Sequence, residues 1–398
     1  MAVSTLRNVV VVGGSYVGVA AATELASLLP ATHRVLLIEP HSHFHHLFAF
    51  PRFAIVPGFE HKAFIPYTSL FAGYPNAQHE VVRARAVSLQ PQQLTLDREW
   101  HGSKQLSFDY LVAATGSRLS PPGAMEDDDK APSVAYLQAY QQGIKRSNSV
   151  TVIGGGAVGV QMACDLKEVY PEKDITLIHS RSQLMPVYHE GLSNLIKKRF
   201  AELGINLVTE SRVVVPAGGF PTTGTSPFEI TLQDGRTLTT DFAIVATGQI
   251  PNKQFITAPG GLEPSAPDSL INPKSGYVRV RPTLQFSDPK YPHLFAVGDI
   301  ADSGAHKAAR PGAVQAAVAA KNIAAMLAGG APSETITVAP AGIHLTLGLT
   351  QNVIFRNPAA DQTEPFINLK DDGSRDMNID GIWARRGIKV ASPQDYHL

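Results

Sequence analysis

The chain has 398 residues, 44% of them hydrophobic and 17% charged, enough for two or three cores and unlike the composition of a disordered chain. Its 34 basic and 34 acidic residues cancel, so no broad field draws it to nucleic acid or to an anionic membrane. Cys164, the single cysteine, excludes a disulfide framework and any Cys-x-x-Cys redox pair within the chain.

Met1–Thr5 leads almost directly into an apolar strand, without the basic and apolar regions of a signal peptide. Position 2 is Ala, not the Gly of an N-myristoylation site. No run of about 18 apolar residues occurs. The expectation is a soluble, cytoplasmic protein, at most peripheral to membranes, and a monomer or homodimer.

The first informative feature is an internal repeat. Asn8 to Ala22 reads NVVVVGGSYVGVAAA and Ser149 to Ala163 reads SVTVIGGGAVGVQMA, with Gly13 and Gly154 in equivalent places 141 residues apart. Each copy is an apolar strand, a glycine turn, an alanine-rich helix and a second strand, Arg34–Glu39 or Asp174–His179. Two βαβ units predict two parallel-sheet nucleotide domains. Val81–Leu96 reads as short strands, and Tyr110–Thr115 as a buried strand ending in Ala114-Thr115-Gly116, an ending repeated at Ala246-Thr247-Gly248. Between these, His189–Leu203 has a helical apolar face and stops at Gly204, and Asp234-Gly235 marks a hairpin turn between Glu229–Leu232 and Thr237–Thr240. Stretches 216–227 and 258–276 read as loops. A third region opens with Leu294–Val297 and Gly298-Asp299 and continues into a helix from about Pro311 to Leu327. Beyond about residue 340 come β signals and then a polar, loop-like tail.

The glycine loops carry the chemistry. In Gly-x-Gly-x-x-Gly the first glycine makes the turn, the second admits a pyrophosphate to the backbone, and the third lets helix pack on strand. The helix N-terminus then offers free N–H groups to the phosphates. Gly154, Gly156 and Gly159 satisfy the pattern; the first copy has Gly13, Ser15 and Gly18, with serine in the middle place. Glu39, 21 residues past Gly18, is placed to accept from both ribose hydroxyls. The matching residue of the second copy is His179, followed by Ser180 and Arg181, which leaves room for a 2′-phosphate and a cation to pair with it. The reading leans toward NADPH, or toward tolerance of both NADPH and NADH.

The order of these features is that of the two-dinucleotide-domain flavoproteins. Within them the chain resembles the AMID-type apoptosis-inducing-factor homologues, including the ferroptosis-suppressor quinone reductases, with type II NADH dehydrogenases as distant relatives. The likeness spans about residues 7–350 and is carried by Phe44-His45-His46, Arg52, Gly58-Phe59, Lys62–Ile65, Val169–Ser180 and Gly298-Asp299 with Lys307. It implies an α/β, glutathione-reductase-like fold of two Rossmann-like domains with a small C-terminal α+β region. Residues 1–122 and 269–335 would form the FAD domain, 123–268 the NAD(P) domain, and 336–398 the C-terminal region. It further implies FAD held by Gly13, Gly14, Ser15, Tyr16, Val17, Gly18, Glu39, Arg52, Lys62 and the backbone near Ala84. The two Ala-Thr-Gly endings (Ala114, Thr115, Gly116; Gly248), Gly298 and Asp299 would complete the cofactor sites, and Lys307 would place a charge beside the flavin. Where the family has Gly-Val-Glu after the second loop this chain has Gly159-Val160-Gln161, and the acylation site of the ferroptosis-suppressor branch is missing. Gln161 can still bond a nicotinamide amide.

His41, His43, His45 and His46 lie within six residues, yet the family match reads them as part of the flavin-domain fold, and no metal is expected. Cys164 reads as a buried small hydrophobe, Glu126–Asp129 as a solvated linker, and Trp383 with Arg385 and Arg386 as a weak membrane contact. The leading function is FAD-dependent transfer of electrons from NAD(P)H to a quinone-like or aromatic small molecule. A specialised enzyme with one dedicated substrate, and a redox-signalling flavoprotein with little turnover, remain alternatives.

Overall fold

The computed structural model describes residues 6–74 and 78–398; the reading of Met1–Thr5 lies outside them. Two parallel sheets organise the chain. The first runs in the order 294–296, 110–113, 7–12, 33–38, 80–82, with Val12 opposite Ile38 and Ala113. The second runs 206–208, 174–178, 149–153, 242–245. Val9, Val10, Val11 and Val12 are all buried because helices and loops cover both faces, which is why this strand reads as an unbroken apolar run and not an alternating one.

The described helices are α1 (Tyr16–Leu28), α2 (Phe50–Phe53), α3 (Lys130–Arg146), α4 (Ala157–Val169), α5 (Glu190–Leu203), α6 (Ala309–Leu327) and α7 (Ile379–Arg385). Helix α5 buries Leu192, Ile196 and Phe200 and ends at Gly204 in the left-handed conformation, as its sequence predicts. Helix α6 begins at Ala309, with Pro311 in its first turn, and Gly312 lets it close on Val17 of α1. The hairpin pairs Phe228–Thr231 with Thr237–Thr240, one residue earlier on its first strand than expected. A separate antiparallel meander covers 86–107, and a three-stranded antiparallel sheet, 342–346, 352–356 and 366–370, opens the C-terminal region.

The tail departs from its sequence reading. Instead of a polar loop, 376–398 contains α7 and a short 3₁₀ turn at Pro393–His397. Trp383 is fully buried, donates from Nε1 to the Lys62 carbonyl at 2.8 Å and meets Tyr396 edge-on, so it is a core anchor and has no access to a membrane. Among the described residues no helix is long and apolar enough to cross a membrane. The acidic run is also tied down: Asp128 pairs with Arg85, and Asp129 with Arg83.

Arg52 corrects a second expectation. The resemblance sets it beside FAD, but its guanidinium is fully buried and all its nitrogens are engaged within the protein. Nε donates to Asp165 of α4 at 2.6 Å, and the terminal nitrogens donate to the carbonyls of Gly348, Leu349 and Ser374. One side chain thereby joins the first sheet's domain, the second domain and the C-terminal region. Arg52→Ala strands the buried Asp165 carboxylate, and urea unfolding of this variant is expected to show a loss of about 3–5 kcal/mol; a loss below about 1 kcal/mol would contradict the role.

Candidate cofactor and active site

Both glycine loops are built on the same close approach. A Cβ on Gly18 would lie 1.7 Å from the Gly13 carbonyl oxygen, and one on Gly159 would lie 1.9 Å from that of Gly154. Gly13 and Gly154 themselves turn with φ of +103° and +120°, where a side chain is strained. The helices α1 and α4 therefore start immediately beyond the sheet edge. Ser15 and Gly156 occupy their N-cap positions, and neither start has a side-chain cap, which leaves first-turn N–H groups for a ligand. The Cβ of an alanine at 156 would meet nothing within 4 Å.

The repeat extends to the side chain that ends the second strand. Glu39 Oε2 accepts from the Gly14 N–H, and in the second copy His179 Nδ1 accepts from the Gly155 N–H at 3.0 Å. With Nδ1 as acceptor, His179 Nε2 carries the proton and donates to the Gln183 carbonyl at 3.1 Å. Burial lowers the pKa of this imidazole, so at neutral pH the second site has an uncharged reader where the first has a carboxylate. Arg181 is exposed two residues on. The Ala84 N–H donates to the Glu39 carbonyl at 3.2 Å and braces the acid's backbone, while His41 bonds the other carboxylate oxygen.

At the far end of the first loop, Gly298 turns with φ of +75° and its N–H donates to Gln315 of α6 at 2.8 Å. The adjacent Asp299 accepts weakly from Ser117 at 3.4 Å. Burial raises its pKa against the opposing charge of Lys307. The Lys307 ammonium donates to the Ala301 carbonyl and lies 4.2 Å over the Tyr277 ring; burial lowers its pKa. Thr115 and Asn252 exchange hydrogen bonds of 2.7 and 2.9 Å, and Ser117–Arg118 pairs with Ile250–Pro251, so the two Ala-Thr-Gly endings are tied where the chain crosses between domains. Gln161, on the first turns of α4, is 9% exposed and lies beside the buried Asp165 carboxylate, whose charged form it favours.

Lys62 leaves the expected set. Its ammonium pairs with Asp380 at 2.9 Å and lies 4.0 Å over Tyr396, so it holds the C-terminal segment. The histidines take different partners: His41 bonds Glu39, His43 bonds Ser42 and the Leu398 carbonyl, His45 packs against His41, Phe50 and Phe64, and His46 bonds the Tyr16 hydroxyl at 2.8 Å. Burial, with help from Arg386, lowers His46 to about 4, so it is neutral. Phe48 is half exposed, with its ring 4.7 Å from Tyr16.

Several site residues carried no sequence signal. Tyr67 donates to the Gly14 carbonyl at 2.7 Å. Tyr188, from the second domain, bonds His306 at 2.6 Å, beside Asp299 and Lys307. Arg386 lies 3.4 Å over the Phe44 ring. None of the three stands in a motif; only the folded chain brings them to the loops.

The family model described as pyridine nucleotide-disulphide oxidoreductase matches residues 7–321. Fe-regulated protein 8 of Mycosarcoma maydis is 34% identical over 96% of this chain and 96% of its own length. Ferroptosis suppressor protein 1 of Mus musculus is 29% identical over 79% of this chain and 80% of its own. Apoptosis-inducing factor homolog B of Dictyostelium discoideum is 27% identical over 82% and 83%. Among solved structures, the sulfide:quinone oxidoreductase of Aquifex aeolicus superposes with a TM-score of 0.72 at 21% identity, covering 97% of this chain and 93% of that one, a likeness of fold.

Gly156→Ala separates fold from ligand approach at the second loop. Its Cβ enters open space, so stability is expected to change by no more than about 1 kcal/mol, while KM for the nicotinamide nucleotide rises about tenfold as the pyrophosphate is held off. Thermal melts and steady-state kinetics check both; an unchanged KM would contradict the assignment.

Proposed function

The chain belongs to the pyridine nucleotide-disulphide oxidoreductase family and is an FAD-dependent NAD(P)H oxidoreductase, and from that premise we propose that it prefers NADPH, tolerates NADH, and reduces a quinone-like or aromatic small molecule. The observation that carries the nucleotide preference is the contrast between Glu39 and His179 at matched positions of the two loops. FAD, when bound, would supply the hydride- and electron-transfer chemistry.

The residues of this chain bind and orient. Gly13, Gly14, Ser15, Tyr16, Val17 and Gly18 would receive the FAD diphosphate at the start of α1, and Glu39 its ribose. Asp299, with one weak internal hydrogen bond, has carboxylate capacity for a sugar-like hydroxyl chain. Gly298 and the Ala114–Gly116 turn would bound the same cavity. Lys307, close to Asp299 and partly desolvated, would set a positive potential where reduction builds negative charge.

On the other side, Gly154, Gly156 and Gly159 would receive the nicotinamide dinucleotide, with Gly248 beside them. Uncharged His179 does not repel a 2′-phosphate, and exposed Arg181 would pair with it. Gln161, standing where the resembled family has an acid, would offer its amide to a carboxamide such as that of nicotinamide. With Cys164 fully buried and alone, the chain's own sulfur chemistry has no part in the reaction.

Gln161, where the resembled family has an acid, favours a second reading, an enzyme with one dedicated substrate. A panel of soluble quinones divides the two. The proposal expects NADPH-dependent turnover of many of them; turnover of none, with activity on a single unrelated compound, would overturn it. His179→Glu is expected to shift the ratio of kcat/KM for NADPH over NADH toward NADH by about tenfold or more, through repulsion of the 2′-phosphate. An unchanged ratio would remove His179 from the preference.

A further inference from the structure

The glycine loop of the first domain offers N–H groups to a diphosphate, but the two cations expected beside it are engaged elsewhere, Arg52 with Asp165 and Lys62 with Asp380. A third cation stands in that neighbourhood. Arg386 follows the last turn of α7, where Gly387, with φ of +74°, reverses the chain. Its guanidinium lies 3.4 Å over the Phe44 ring and 6.0 Å from the centre of the Tyr16 ring. Phe44 in turn meets Tyr67, which bonds the Gly14 carbonyl, and Tyr16 is the first residue of α1. Among the described residues no carboxylate lies within ion-pair distance of Arg386. Burial alone lowers its pKa, and only Tyr16 and Tyr67 act on it otherwise.

A mostly buried guanidinium without a counter-ion is costly unless a ligand supplies the anion. Its position is nevertheless strongly defined. Trp383 is locked into the core, and Lys130 donates to the Tyr396 and Leu398 carbonyls at 2.7 and 2.8 Å. The segment therefore holds an unpaired charge against the aromatic wall of the loop. We propose that Arg386 is the cation that receives the diphosphate of FAD, making the C-terminal segment the third wall of the cofactor site. The guanidinium would share the phosphate oxygens with the α1 N–H groups, and its fork geometry suits two oxygens at once. Phe44 keeps the guanidinium plane in place by cation–π contact and limits its access to water.

The inference rests on FAD as the bound cofactor. The test is FAD release from the full-length holoprotein and rebinding to the apoprotein, read by flavin fluorescence. Arg386→Ala is expected to weaken FAD about 10- to 100-fold, with Arg386→Lys between the two. Binding of riboflavin, which has no phosphate, is expected to stay within about twofold of wild type. Removing an unpaired charge is also expected to leave the melting temperature of the apoprotein unchanged or higher while lowering that of the holoprotein. A purely structural arginine would lower both. If the alanine variant does not accumulate, Arg386→Gln carries the same comparison. FAD affinity within about twofold of wild type, or equal losses of FAD and riboflavin, would overturn the assignment. A wild-type protein that takes up no FAD at all would instead overturn the flavoprotein reading on which it stands.

Discussion

Everything in the site depends on two helices being allowed to begin where a side chain would forbid it. At Gly18 and Gly159 the helix passes so close to the preceding turn that a β-carbon would overlap a carbonyl oxygen. That contact fixes the axes of α1 and α4 on their sheets and brings uncapped N–H groups to the strand ends. Ligand binding then becomes a matter of which side chains surround each helix start. Glu39 and His179 use their tips alike, each accepting from the N–H after the first glycine, yet one leaves a negative charge at the rim and the other a neutral ring. The duplication thus preserves the geometry and changes the electrostatics.

The two domains are braced against each other, and buried polar side chains do much of this. Arg52 reaches an acid of the second domain and three carbonyls of the C-terminal region. Thr115 and Asn252 tie the crossover, and Tyr188 bonds His306 across the domains beside the expected flavin position. Such bonds are directional and fix the relation between domains more sharply than apolar packing would.

Much of this was legible in the sequence. The two strand–loop–helix units, the paired Ala-Thr-Gly endings, the helix stopping at Gly204 and the strand before Asp299 follow local rules of periodicity, turns and caps, and the structure has them at those places. What was not legible is non-local. Arg52 and Lys62 read as cofactor ligands because family resemblance records position along the chain, while the partners that engage them, Asp165 and Asp380, are 113 and 318 residues away. The tail read as a loop because its composition is polar. Its order comes largely from Trp383, which bonds the Lys62 carbonyl 321 residues earlier and packs against Lys130 and Tyr396. Tyr67, Tyr188, His306 and Arg386 stand in no motif, since only tertiary packing gives them neighbours.

The central claim is that electrons enter from a nicotinamide nucleotide at the second loop and reach a flavin at the first. Anaerobic mixing of the purified protein with NADPH, and separately NADH, while following the flavin's visible absorbance band, tests this most directly. The account predicts rapid bleaching, faster with NADPH. A yellow protein whose flavin neither nucleotide reduces would contradict it.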